Sequence, residues 1–322
     1  MKRVLVMGGS YFIGKKIVDV FLKGNYDVTI LNRGSKPCDH PEIVNLISDR
    51  NDKTQMEETL KLKAFDYVVD VCGLNRNQME VLCGALDMTN LKKFIFMSSS
   101  AVYDIDHLET PYHENDSLKE NSVWTFYGRN KIEAEGYLEE YFKNTKTHFI
   151  AIRPPYVYGE ENYAQRESFI FDHIENERPI LVPNNGESKI QLINSIDLAE
   201  IVIKLVSTET EENMRLNVGN KEAMNFLEWI ASCEKVVGKK AKIIKFDYKS
   251  HNKKDRDFFP FFDYDNVLDT SQIRVFYDKE VDFLDGLSAC YDWYLKNQDM
   301  ISFKASVKDN EDDIYKLIGY ID

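Results

Sequence analysis

The run Arg3-Val4-Leu5-Val6-Met7 stops at Gly8-Gly9, and Ile13, Ile17, Val20 and Phe21 then recur at helical spacing until Gly24. That pattern reads as strand, tight turn and helix. Val28-Thr29-Ile30-Leu31 follows as a second strand and completes a βαβ unit. Further apolar runs at 44–47, 67–71, 94–97 and 148–152 alternate with helix-like stretches, notably 77–86 and 129–142. Strands regularly interleaved with helices predict an α/β fold, a doubly wound parallel sheet covered on both faces. Ligands of such sheets bind at the carboxyl ends of the strands.

Gly8-Gly9-Ser10-Tyr11-Phe12-Ile13-Gly14 occupies that position for the first strand and opens the first helix. Glycines allow a tight turn and close backbone approach, and the helix N-terminus offers free N–H groups to a pyrophosphate. An acidic residue at the end of the second strand would hold the adenosine ribose of NAD, but Asn32-Arg33 stands there. A guanidinium beside a neutral residue tolerates a 2′-phosphate, which tilts the expectation toward NADP. The alternative is that Arg33 points into solvent. Tyr127 and Lys131 are four residues apart in Tyr127-Gly128-Arg129-Asn130-Lys131. On a helix they share one face, so the ammonium can favour the phenolate of a residue that otherwise titrates near pH 10.

A chain of 322 residues with 43% hydrophobic and 30% charged residues supports one large or two smaller cores. No window approaches the roughly 18 apolar residues of a membrane span, and a signal peptide is not evident, so the expected location is cytoplasmic. Cys38, Cys72, Cys83, Cys233 and Cys290 lack C-x-x-C spacing and read as reduced packing residues, and the six histidines form no metal pattern. A net charge of -13 repels a phosphate backbone, which argues against nucleic acid and for a small-molecule substrate.

The ordered set of motifs resembles the short-chain dehydrogenase/reductase superfamily, in its extended and atypical NAD-dependent epimerase/dehydratase branch. The residues that carry the resemblance are Gly8 to Gly14, Ser98-Ser99-Ser100-Ala101-Val102-Tyr103, Tyr127 to Lys131, Arg153-Pro154-Pro155-Tyr156-Val157-Tyr158-Gly159, Asp197-Leu198-Ala199 and Leu216-Asn217-Val218-Gly219. The resemblance implies a Rossmann-like fold with a smaller C-terminal substrate domain. It assigns 1–155 to an NAD(P)-binding domain, with 190–220 returning to it, and 156–189 with 221–322 to substrate binding. It implies that Ser99 hydrogen-bonds the reacting oxygen, that Tyr127 is the acid/base, and that Lys131 binds the nicotinamide ribose and lowers the tyrosine pKa. It places Asp49-Arg50 near the adenine, and Cys72, Gly73 and Pro154 against the cofactor. Capping of the next helix is the alternative for Asp49 and Arg50.

Three departures narrow the reading. Tyr11 stands at the family's middle glycine, so backbone approach must be arranged differently, and Ser100-Ala101 replaces the acidic pair of the dehydratases, which argues against 4,6-dehydration. Nucleotide-sugar epimerases place an arginine where this chain has Ile190, with Lys189 or Gln191 as substitutes. The function implied is an NAD(P)-dependent epimerase or reductase working by hydride transfer on a sugar-like or nucleotide-sugar substrate, as a homodimer in many relatives. The rival is a non-catalytic dinucleotide sensor or an RNA-binding member of the atypical group. Asp257-Phe258-Phe259-Pro260-Phe261-Phe262-Asp263-Tyr264 reads as closing an interdomain core or as lining a pocket, 289–295 as a terminal helix, and Asp309 to Asp313 as solvated surface.

Overall fold

The computed structural model describes residues 1–36, 38, 40–209, 212–301 and 303–321. Its strands are β1 Arg3–Met7, β2 Asp27–Asn32, β3 Val44–Ile47, β4 Tyr67–Asp70, β5 Lys93–Met97, β6 His148–Arg153, β7 Tyr156–Tyr158, β8 Ile180–Pro183, β9 Lys189–Asn194, β10 Met214–Asn217, β11 Ala223–Asn225 and β12 Ile243–Phe246. Seven of them form one parallel sheet in the order β10-β6-β5-β4-β1-β2-β3. The order reverses between β1 and β4, so the crevice at their carboxyl ends is the topological switch point. The α/β, Rossmann-like architecture expected from the alternation is therefore present.

The helices are α1 Phe12–Lys23, α2 Lys53–Leu60, α3 Arg76–Ala85, α4 Thr125–Phe142, α5 Arg166–Glu175, α6 Ser195–Ser207, α7 Phe226–Val237, α8 Ser271–Arg274, α9 Phe283–Lys296 and α10 Ala305–Leu317. One sheet face buries Val4, Val6, Ile30 and Ile95 under Ile17 and Phe21 of α1 and Leu198 and Val202 of α6. The opposite face buries Leu5, Val68, Phe94 and Phe96 under Met56, Leu82 and Leu138 of α2, α3 and α4. Two-sided burial explains why these strands are apolar without alternation.

β7, β9 and β11 form a second, three-stranded sheet, and β8 pairs with β12. Around them lies a separate aromatic core containing Phe169, Phe171, Phe226, Trp229, Phe258, Phe259 and Phe261. The aromatic segment thus divides: those three phenylalanines enter the core, while Phe262 faces a cavity. In the acidic stretch on α10, Asp309 and Asp313 are exposed as expected, and the exception is Glu311. Glu311 is buried, held by His173 Nε2 at 2.8 Å and Arg178 Nε at 3.0 Å, because an imidazole and a guanidinium from elsewhere in the fold offset the cost of enclosing it.

Candidate active site

α4 starts at Thr125, ahead of the apolar periodicity, since Asn121 Oδ1 accepts the Trp124 N–H at 2.8 Å and anchors the entry. Tyr127 and Lys131 therefore do lie on one helix. Between them, Gly128 sits against the loop after β5: a Cβ there would come 2.5 Å from the Ala101 carbonyl oxygen. The missing side chain lets α4 close on that loop, which carries Ser99. Ser99 Oγ accepts the Ala101 N–H at 3.1 Å, leaving its own hydrogen to donate.

Ser99, Tyr127 and Lys131 line one cavity of about 490 Å³, with Phe12 and Ile13 from the glycine turn, Pro154 beyond β6, and Trp124, Tyr156 and Phe262 as aromatic walls. Lys131 is 4% exposed and its ammonium donates to the Gly73 carbonyl at 2.6 Å and the Met97 carbonyl at 2.7 Å. Burial brings its pKa down to about 8, partly opposed by the Asp70 charge. Tyr127 as a whole residue is 38% exposed. Enclosure of its hydroxyl end raises the phenol above its ordinary value, and the Ser99 hydroxyl and the Arg166 charge pull it back down. The Arg166 charge favours this phenolate, whereas the Lys131 ammonium is turned onto two carbonyls and lies 5.9 Å from the tyrosine ring centroid.

On the other side of the glycine turn a second cavity, of about 360 Å³, is lined by Gly8, Ser10, Tyr11, Asn32, Arg33, Lys36, Arg50 and Cys72, among others. Gly14 is what seats the turn, since a Cβ there would lie 2.0 Å from the Gly8 carbonyl oxygen. Gly9 packs instead between Val18 and Ile30. Tyr11 needs no glycine conformation: its φ of -156° is extended backbone, and the positive φ of 46° falls on Phe12. Its ring forms cavity wall, with Lys36 Nζ 3.4 Å from the ring centroid.

The remaining expected cofactor residues differ in what they do. Asn32 turns inward, donating to Asn45 and accepting the Gly34 N–H at 2.7 Å. Arg33 is exposed on the cavity wall and has no hydrogen bond or ion pair among the described residues. The Arg50 guanidinium is clamped by Asp70 at 3.0 and 2.6 Å and also reaches Cys72 Sγ at 2.9 Å, so this cysteine is not simply a packing residue. Gly73 contributes its carbonyl to Lys131. Asp49 is exposed and spends its carboxylate on Asn51. The helix cap belongs to neither Asp49 nor Arg50 but to Asp52, which accepts the Gln55 N–H at 3.0 Å.

Other motif residues build support. Arg153 is fully buried, bidentate to Glu135 of α4 at 3.1 and 2.6 Å, and donates to the Tyr103 hydroxyl at 3.1 Å; that hydroxyl donates to Asn217 at 2.6 Å. Asp197 accepts from Tyr277 and the Val281 N–H. Ile190 is buried in β9 and the Gln191 amide is occupied by Asn220 and Leu268, so neither offers a free polar group to a ligand. Arg166 and Tyr163 escaped sequence reasoning, since they sit in a polar stretch without periodicity. Tyr163 stands edge-on to Phe12 at 5.9 Å, and Lys15 and Lys16 pair with Glu161 and Glu160, tying this loop to α1.

The sequence profile of the NAD dependent epimerase/dehydratase family matches residues 4–219. The chloroplast stem-loop binding protein of 41 kDa b of Arabidopsis thaliana is 27% identical over 307 residues, covering 90% of this chain and 78% of that protein. The fold is similar to the UDP-glucose 4-epimerase of Thermotoga maritima, solved with UDP-glucose, at a TM-score of 0.78 and 17% identity over 92% of this chain and 99% of that one. It is also similar to the UDP-glucuronic acid 4-epimerase of Bacillus cereus, solved with UDP-glucuronic acid and NAD, at a TM-score of 0.74 and 19% identity over 91% and 99% of the two chains.

Proposed function

We propose, from the premise that the chain belongs to the NAD dependent epimerase/dehydratase family, that it is an NAD(P)-dependent epimerase or reductase acting by hydride transfer on a hydroxyl or ketone of a sugar-like or nucleotide-sugar substrate. One observation carries the reading: Ser99, Tyr127 and Lys131 face a single cavity that begins where the glycine turn ends. The two cavities on either side of that turn fit the two halves of a dinucleotide, with Arg33, Lys36 and Tyr11 toward the adenosine and Lys131 and Pro154 toward the nicotinamide. The dinucleotide, when bound, supplies the hydride acceptor and donor. Ser99 donates its free hydrogen to the reacting oxygen, and Tyr127 exchanges a proton with that same oxygen. Two of the three Lys131 N–H groups hold the protein's own carbonyls, which leaves the third for ribose.

Arg33 makes NADP the favoured partner, since an unpaired guanidinium on the adenosine wall suits a 2′-phosphate. A fluorescence titration with NADPH and NADH tests the reading. Tighter NADPH binding that falls about tenfold in Arg33→Ala, with NADH unaffected, is the expected result, one charge-assisted contact being worth that much. Failure of both dinucleotides to bind would overturn the enzyme reading. The similarity to a stem-loop binding protein favours RNA as the second reading. Against it stands the net charge of -13.

A further inference from the structure

The two cavities flanking the glycine turn meet at a cluster of rings. Tyr11 walls one cavity, whereas Phe12 and Tyr163 wall the other. The Tyr163 ring centroid stands 6.2 Å from that of Tyr11 and, edge-on, 5.9 Å from that of Phe12. Lys36 extends the cluster with its Nζ 3.4 Å from the Tyr11 centroid. A chain of contacts therefore runs from the segment after β2, through Tyr11, to the loop at 160–165 that follows β7. It lies at the turn where a pyrophosphate joining the two cavities would pass.

This loop belongs to the aromatic lobe but grips α1. Asn162, 5% exposed, fixes it to the lobe by donating to the Glu167 carboxylate at 2.8 Å and the Val157 carbonyl at 3.3 Å. Its neighbours reach the other way, Glu161 pairing with Lys15 at 2.5 Å and Glu160 with Lys16 at 2.7 Å. Glu161 and Gln165 bracket Tyr163 with φ of 65° and 52°, left-handed backbone that residues with a side chain hold only where their surroundings impose it. Tyr163 itself is 70% exposed, and both ion pairs reach solvent. Contacts of this kind are individually weak, and the ionic ones are screened by salt. A grip made of several weak contacts favours the closed arrangement and still opens during function.

Taking the two cavities as the dinucleotide site, we propose that Tyr11, Tyr163 and the ion pairs of Glu160 and Glu161 form a clasp between the lobe and α1, which opens to admit the dinucleotide and closes over its pyrophosphate. The side chain at the family's middle glycine then has a use. Tyr11 gives the loop an aromatic partner that a glycine could not. The clasp governs how fast the dinucleotide exchanges in both directions, and the ribose and adenosine contacts govern how tightly it is held.

Stopped-flow fluorescence on the full chain tests the clasp with NADPH and NADH, measuring association directly and release by displacement with excess NADP. The unaltered protein is compared with Glu160→Gln/Glu161→Gln, which removes the ion pairs, and with Tyr163→Ala, which removes the ring contacts without changing charge. Association and release both accelerate about tenfold in each variant, the size expected for two exposed ion pairs or one ring pair, while the dissociation constant changes far less than either rate. Added salt speeds exchange more in the unaltered protein than in the glutamine variant. Unchanged rates in both variants overturn the clasp. So does faster release with unchanged association, because that pattern marks a plain contact with the bound dinucleotide rather than a barrier to its passage. Binding of neither dinucleotide by the unaltered protein would sink the cofactor reading and the clasp together, whereas binding with variant rates unaltered sinks the clasp alone.

Discussion

Tyr127 and Lys131 share a helical turn, but their polar ends serve different neighbours. The lysine is enclosed and fastened to the Gly73 and Met97 carbonyls, whereas the phenol meets Ser99 and the field of Arg166. Because burial depresses Lys131 to about 8, the folded protein releases this proton before the unfolded chain does. Below pH 8 both states hold the proton and the buried charge is a cost. Between 8 and the ordinary lysine value the unfolded chain binds more protons, so stability rises with pH. Urea unfolding of the unaltered protein, referenced to Lys131→Met, should therefore gain ~3 kcal/mol between pH 7 and pH 10.5, the product of the shift and 1.36 kcal/mol per pH unit. Parallel profiles for the two proteins would show that Lys131 is not held in this way. The pairing itself was legible from spacing, and so was the glycine turn. The role of Arg166 was not, because a charge inside a polar stretch reveals its direction only once α5 and the aromatic segment are folded around it.

At the scale of elements, α4 is seated by what it lacks at Gly128 and by what it holds at Glu135. Gly128→Ala places a methyl 2.5 Å from the Ala101 carbonyl, a backbone atom that cannot yield without moving the Ser99 loop. It should destabilise the protein by about 1–3 kcal/mol and lower turnover. Gly136→Ala in the same helix meets nothing within 4 Å and should instead stabilise by up to about 1 kcal/mol. Thermal melts of the pair check both signs, and equal effects would remove the packing argument. Glu135→Leu leaves Arg153 buried without its bidentate partner, an expected loss of about 3–5 kcal/mol in denaturant unfolding. A loss under about 1 kcal/mol, the size of an exposed pair, would contradict that role. The Arg153, Tyr103 and Asn217 motifs were visible in the chain as separate signals. Their union with Glu135 was not, since no local pattern marks a glutamate on a helix face as the counter-ion of a strand residue.

Across the whole molecule, the parallel sheet brings the glycine turn, the Ser99 loop and α4 to one crevice, and the aromatic lobe closes it with Tyr156 and Phe262. The loop at 160–165 fastens the lobe to α1 through Tyr163, Glu160 and Glu161. The sheet could be anticipated because strands buried on both faces announce themselves as unbroken apolar runs. The lobe could not be traced in the same way, since its short strands and its aromatic core depend on contacts between distant segments. The central claim is that Tyr127 exchanges a proton with the carbinol oxygen as hydride moves. Single-turnover nicotinamide absorbance tests it most directly, with sugar-like alcohols and their nucleotide-linked forms offered to the unaltered protein and to Tyr127→Phe. The account predicts reduction of bound nicotinamide that slows about 10²–10⁴-fold in Tyr127→Phe while dinucleotide affinity is kept. Hydride transfer that proceeds equally fast without the Tyr127 hydroxyl would contradict it.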